Sequence, residues 1–420
     1  MSFVRYVPAV LIVLAVAGLA NENVSHFPIG ILFLLGTWQI IRNPKDILLN
    51  ANAKFLLSIF ACVWVPMLLS LPDAENPIRA LKTTGLYVHY LPAALYISYM
   101  LRDLIVRRIV LVGIVVIVGF WCFDGIIQLL TGKDLFGYPY DGAVLKGAFY
   151  PKQRFGLVIS VFAPLYLYAV SQLATRSRWA WLLLLPLFVV ISFSLKRTAW
   201  IMLAAALVTY LACFFRPSRA NLRFSALSSG VFLALICIAL CCVPKIRTQV
   251  TDTLDIFSSD FETADIATSH RLSLWDTGFS IVRSNWLNGI GPRGFRTVYA
   301  SYADPDDFWI LRGKKGQTHP HLMILEVLIE TGMIGLLAYC VSIFLLVSRL
   351  WRRRLDDKAA TVCLIVGFVA WFPLNAHLAF YGSYWANIAW LMIAVGSTST
   401  AVSDAASISL ESKPATALSN

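Results

Sequence analysis

Charge is scarce in this chain. Only 14% of its 420 residues are Asp, Glu, Lys or Arg, where an average soluble domain carries about 25%. The scarcity excludes an ordinary soluble fold. With 58% hydrophobic residues and a mean hydropathy of +0.71, the chain reads as a polytopic membrane protein, better counted in spans than in soluble domains. Acidic residues are the scarcest charges, 23 against 35 basic, for a net charge of +12. In a soluble protein that excess would suggest nucleic acid. Here the basic residues sit mainly in short loops between apolar runs, as the positive-inside rule produces, so no nucleic-acid partner is expected. Basic residues outside those loops suit anionic lipids or phosphates. Cysteines number eight, all in or beside apolar runs, with no CxxC pair. That excludes a disulfide framework and a cysteine metal site, and Cys237 and Cys241 read as packing. Asp304, Asp306 and Asp307 read as a solvated loop, no metal-ligand spacing stands out elsewhere, and no metal or cofactor is expected.

What is present is a succession of about twelve apolar segments, near residues 6–20, 27–41, 55–72, 84–101, 109–130, 155–174, 178–194, 198–215, 225–243, 322–348, 359–376 and 381–397. The first is read as a span and not a leader peptide, because Met1 to Arg5 carries little charge and the next span follows closely. The expected fold is an all-α polytopic membrane protein. Residues 1–243 hold about nine spans, 244–320 form a large outward loop with amphipathic helices, 321–397 hold about three more spans, and 398–420 form a disordered tail. The loops holding Arg5, Arg42, Arg107, Arg176, Arg219, Arg352 and their basic neighbours alternate with poorer ones and are assigned to the cytoplasm. Both termini are then cytoplasmic, and 73–83, 131–154, 195–197, 244–320 and 377–380 face outward. The 244–320 segment is too long for a connector. Its aromatic content argues for order, and Leu272, Trp275, Phe279 and Val282 recur at helical spacing, as in an amphipathic helix lying on the membrane or bundle.

Four groups on the expected outward side could do chemistry. His321 stands where the polar segment ends and an apolar helix begins. Thr318 is a cap residue and Pro320 suits a first turn, which puts His321 at the positive end of a helix. A neutral imidazole is favoured there, able to accept a proton, and the helix end attracts anions. Arg197, next to Lys196, breaks an apolar stretch running from Trp179 to Phe215, a costly position unless wetted or paired. Arg271 opens the amphipathic helix, and arginine forks match phosphate oxygens. Arg154 lies in another outward loop. Taken singly, a packing histidine, a snorkelling Lys–Arg pair and an ion-paired arginine fit as well. Glu330 is not the partner of His321. Nine residues of helix, about 900° and 13–14 Å of rise, turn it to the opposite face, where it reads as structural. Gly289-Ile290-Gly291-Pro292-Arg293-Gly294 matches GxGxxG, yet no strand precedes it and Pro292 interrupts it, so the dinucleotide reading is rejected.

In order and sidedness these motifs resemble the O-antigen ligase family, within the group that includes O-antigen polymerases and protein O-oligosaccharyltransferases. That family carries His-Asn-x-x-Leu and then Glu-x-Gly-x-x-Gly after its large periplasmic loop. His321, Leu325, Glu330, Gly332 and Gly335 match, and Leu322 replaces the family asparagine. An arginine after a span matches Arg197, and Arg-x-x-x-Trp matches Arg271 with Trp275. The resemblance implies a GT-C-like inner-membrane glycosyltransferase with its site facing the periplasm. Its donor would be O-antigen polysaccharide on undecaprenyl diphosphate, and its acceptor a sugar hydroxyl of lipid A–core. His321 would be the general base, Arg197 and Arg271 the metal-independent diphosphate ligands, with inversion at the anomeric carbon. His319, Lys196, Arg154, Glu330 and Trp275 would support them. A polymerase or protein-glycosylating enzyme would share the donor. A transporter or flippase is the reading from another class, but no internal repeat is visible and the polar groups gather at one surface.

Overall fold

The computed structural model describes residues 3–215, 244–312, 316–376 and 378–398. The expected span at 225–243, Cys237, Cys241, Arg219 and the tail from 399 lie outside them. Helices of seven residues or more are numbered here: α1 (Val7–Ala17), α2 (Glu22–Arg42), α3 (Ala51–Leu69), α4 (Pro77–Tyr87), α5 (Tyr90–Met100), α6 (Leu104–Thr131), α7 (Phe155–Ala174), α8 (Leu184–Phe193), α9 (Arg197–Phe214), α10 (Pro244–Leu254), α11 (Phe261–Ala267), α12 (Arg271–Ser284), α13 (Phe295–Tyr302), α14 (Met323–Arg353), α15 (Lys358–Ala370) and α16 (Ser383–Ser397). No strand occurs among the described residues. Six of these helices, α2, α3, α6, α7, α9 and α14, are long and apolar enough to cross a membrane. Within the described residues the other expected spans are shorter helices. The 84–101 run is split between α4 and α5 by the Val88–His89 turn, and 178–194 begins as a 3-10 helix at Arg178–Leu183. The expected outward loop at 73–83 is largely α4, capped by Asn76, whose Oδ1 accepts the Arg79 N–H at 3.1 Å.

Residues Tyr384 to Ser397 of α16 are buried throughout. A helix apolar all round belongs inside a bundle, and α16 packs against α15 and α5. Because lipid is as apolar as leucine, contact between membrane helices rests on close fit. A Cβ on Gly36 of α2 would stand 2.2 Å from the Pro92 carbonyl oxygen of α5, so only glycine permits that crossing.

Polar contacts gather one set of helix ends. Arg107 near the start of α6 donates to Asp357 at the start of α15, Nη1 to Oδ2 at 2.6 Å. Arg5 pairs with Asp103, the N-cap of α6. At the far end of α14, Arg349 donates to Asn52 and Arg353 to the Ser397 carbonyl at 3.0 Å. The start of α14 lies at the opposite end of that 31-residue helix.

The long helix is broken inside. Gly332 has φ 65° and ψ −165°, a conformation that costs side-chain-bearing residues dearly. The break frees backbone groups, and the loop after α12 takes them up. Met333 N–H donates to the Trp286 carbonyl at 2.8 Å and Ile334 to Leu287 at 3.3 Å, while Ile290 N–H donates to the Ile329 carbonyl at 3.1 Å. This accounting leaves the kink satisfied. It also gives the Glu-x-Gly spacing a local meaning: the Glu330 carboxylate accepts the Arg293 N–H at 2.6 Å, pinning the same loop two residues before the break.

Helix α12 forms where its spacing predicts it, but the buried face differs. Leu274, Thr277, Gly278 and Ile281 face inward, and Phe279 is 48% exposed. Counting apolar residues overlooks Gly278. Its missing side chain lets α12 approach α14 until a Cβ would stand 2.9 Å from Ile329 Cδ1.

Candidate functional site

Lys196, Arg197, Arg271 and His321 line one cavity of about 850 Å³, together with Gln153, Trp309 and a single carboxylate, Asp252, among its described residues. Each reaches it by a distinct local device. Arg197 is the first residue of α9, after a turn in which Leu195 takes φ 47°. Its guanidinium donates to the Ala267 carbonyl at the end of α11, where a helix terminus presents partial negative charge. Lys196 donates to the Gln153 side chain.

Arg271 opens α12 after Ser269 and His270, both left-handed at φ 62° and 56°. Asp265 holds that turn. Its backbone carbonyl accepts the His270 N–H at 2.7 Å, and its carboxylate accepts the Ser273 N–H at 3.1 Å and meets His270 Nδ1 at 3.0 Å. Asp265 is 6% exposed. Burial first, and the Arg197 charge second, press Arg271 below the ordinary guanidinium range. Lys196 is pressed down by burial and then by Arg271 and Lys146. Cations that destabilise one another in a partly closed space make a site for an anion.

His321 does not sit in the helix. The N-cap is Leu322, without side-chain capping, and His321 precedes it at φ 52°. Thr318 Oγ1 meets His319 Nδ1 at 2.9 Å and caps nothing. Nor is the helix start open to an anion along its first amides. Met323 N–H donates to the Asn375 carbonyl at 2.9 Å and Ile324 N–H to Pro373 at 3.2 Å. The loop before α15's successor α16 consumes those donors, a tertiary contact that spacing within 318–323 does not reveal.

Arg271 and Trp275 are four residues apart and share a helix face. Trp275 Nε1 donates to the Pro320 carbonyl at 3.0 Å, so the helix that presents Arg271 also grips the histidine loop. The rings of His319 and His321 lie 4.1 Å apart. His319 does not line the first cavity. It lines a second, of about 430 Å³, with Arg154, whose guanidinium lies 4.1 Å from the Tyr384 ring. Glu330 lines neither. The structure thus brings Lys196, Arg197, Arg271 and His321 to one cavity and His319 and Arg154 to another, with Trp275 bonded to the loop that carries both histidines.

Sequence reasoning missed Asp265, Gln153 and Trp309, the last donating through Nε1 to the His270 carbonyl at 3.3 Å. Only Asp265 carried a signal, being a carboxylate shortly before the Arg271 helix. Among the described residues no group of three His, Cys, Asp or Glu side chains could hold a metal. A family model described as O-antigen ligase matches residues 163–340, from within α7 into α14 and across every residue of the first cavity from Lys196 to His321. No curated protein matches the chain.

Proposed function

We propose, from the match of residues 163–340 to the O-antigen ligase family model, that this chain moves O-antigen polysaccharide from undecaprenyl diphosphate to a sugar hydroxyl of lipid A–core. That match supports a membrane glycosyltransferase of the ligase and polymerase type. The inner membrane, the periplasmic site, the substrates and the residue roles are our reading. The observation that carries it is that the cation cluster and the histidine share one cavity.

In this mechanism Arg197 and Arg271, with Lys196, bind the donor diphosphate. His321 accepts the proton of the acceptor hydroxyl. The oxygen attacks the anomeric carbon opposite the leaving group and forms the new glycosidic bond. The bond from that carbon to the diphosphate oxygen breaks, undecaprenyl diphosphate departs with the electron pair, and the anomeric centre inverts. The cations lower the barrier by matching charge that grows on the leaving oxygen, a contribution worth about 10²–10³ in rate for one well-placed donor. Trp275 keeps the histidine loop in register.

The test is transfer by the purified, reconstituted protein. Arg197→Ala and Arg271→Ala should raise the donor KM and lower kcat, and unchanged donor dependence would refute diphosphate binding. Deleting the gene should leave lipid-linked polymer and bare core on a gel. Core bearing one repeat would mark a polymerase instead.

A further inference from the structure

The second cavity is built from five separated stretches, at 79–90, 154, 293, 318–319 and 378–385. Asn288 Nδ2 donates to Asp73 Oδ2 at 2.7 Å, and Glu75 N–H donates to the Ile290 carbonyl at 3.1 Å. A Cβ on Gly291 would stand 2.5 Å from Ala74 Cβ. These contacts dock the glycine-rich loop on the turn before α4, and so bring Arg293 beside Arg79 and Lys82. The latter two are three residues apart on one face of α4, held to the bundle by Trp64 Nε1 donating to the Thr84 carbonyl at 2.9 Å. Arg79, Lys82, Arg154 and Arg293 all line the cavity, and no carboxylate stands among its described lining residues. Arg296, alongside, is pressed below its ordinary value by burial and then by Arg293 and Arg79, against a smaller pull from Glu330 and Glu326. His319 lines this cavity and His321 the first, so the two imidazoles, tilted against each other with centroids 4.1 Å apart, form the partition between two basic chambers.

We propose that the second chamber binds phosphate groups on the acceptor saccharide, and so presents its hydroxyl to the histidine partition from the side away from the diphosphate. The assignment rests on the acceptor reading above. Its volume falls within the roughly 300–1,000 Å³ of small-ligand sites, room for a charged sugar unit and not for a polymer. Lipid headgroups offer the same chemistry, so the test separates the two sources.

The full chain is reconstituted in phosphatidylcholine vesicles, with and without phosphatidylglycerol. Binding of lipid A–core is measured without donor, before and after removal of its phosphates. Arg79→Gln combined with Lys82→Gln lies on the exposed face of α4. It should weaken binding and raise the acceptor KM about tenfold, the loss of roughly one charge-assisted bond, with the donor KM unchanged. The dephosphorylated acceptor should bind wild type and variant alike. Unchanged acceptor binding, a discrimination that survives dephosphorylation, or a raised donor KM would each overturn the proposal. So would competition by phosphatidylglycerol that matches the effect of the variant. If wild type binds the acceptor through its phosphates yet transfers nothing, the reaction reading falls and the chamber stands.

Discussion

His321 holds a backbone conformation that few residues take willingly, φ 52°, and such a position persists only when its surroundings impose it. Asparagine is among the few side chains that tolerate it. His321→Asn should therefore keep the fold and lose at least about 10² in kcat, the lower range for general-base catalysis. An unaltered melting temperature with wild-type transfer would sink the assignment of the base. Trp275→Phe keeps the ring and removes the bond to the Pro320 carbonyl. It should cost about 1 kcal/mol of positioning, read as a several-fold fall in kcat with the donor KM unmoved. At this scale Arg197 stood out in the sequence by breaking an apolar stretch, and Arg271 and His321 by standing where helices were expected to begin. Asp265 and Asn375 did not. Their work is to accept hydrogen bonds from residues brought close only by folding, and no spacing records that.

Among the elements, α14 carries most information. Gly332→Ala would put a Cβ about 2.1 Å from the Leu287 carbonyl oxygen at a φ of 65°, so backbone strain and a collision act together. We expect a loss of at least about 2–3 kcal/mol, seen as a lower unfolding temperature and as weakened transfer, because the displaced loop carries Arg293. Gly335→Ala meets the Thr331 side chain but lacks the positive φ of Gly332, so without the backbone strain its cost should be smaller. Equal losses would argue against the kink as the reason for the first glycine. The existence of the long helices was readable from apolar runs. Their interruptions were not, because the Gly332 break is stabilised by carbonyls from the 286–287 loop, and the 84–101 run turns at Val88–His89 although its composition stays largely apolar.

For the whole molecule, the charges divide by end. The Arg107–Asp357 and Arg353–Ser397 contacts tie helix termini at one end of α14, and the two basic chambers flank its start. If the site faces the periplasm, single cysteines placed at Phe257 and Phe136, both well exposed, should react with an impermeant maleimide in intact cells. One at Leu355, also exposed, should react only after lysis. The reverse pattern would invert the topology. The spread of Lys and Arg carries the expected orientation, and this labelling tests it. The second chamber is not legible there, since Arg293 lies some two hundred residues after Arg79 and Lys82 and is brought beside them by the Asp73–Asn288 and Glu75–Ile290 contacts.

The imidazole partition has a kinetic corollary. Two chambers on either side of one wall can be occupied together, so the enzyme has no need to discharge one ligand before admitting the other. Initial-velocity lines at several fixed concentrations of the second reactant should intersect, the signature of a ternary complex, and parallel lines would mean that the two chambers are never filled at once.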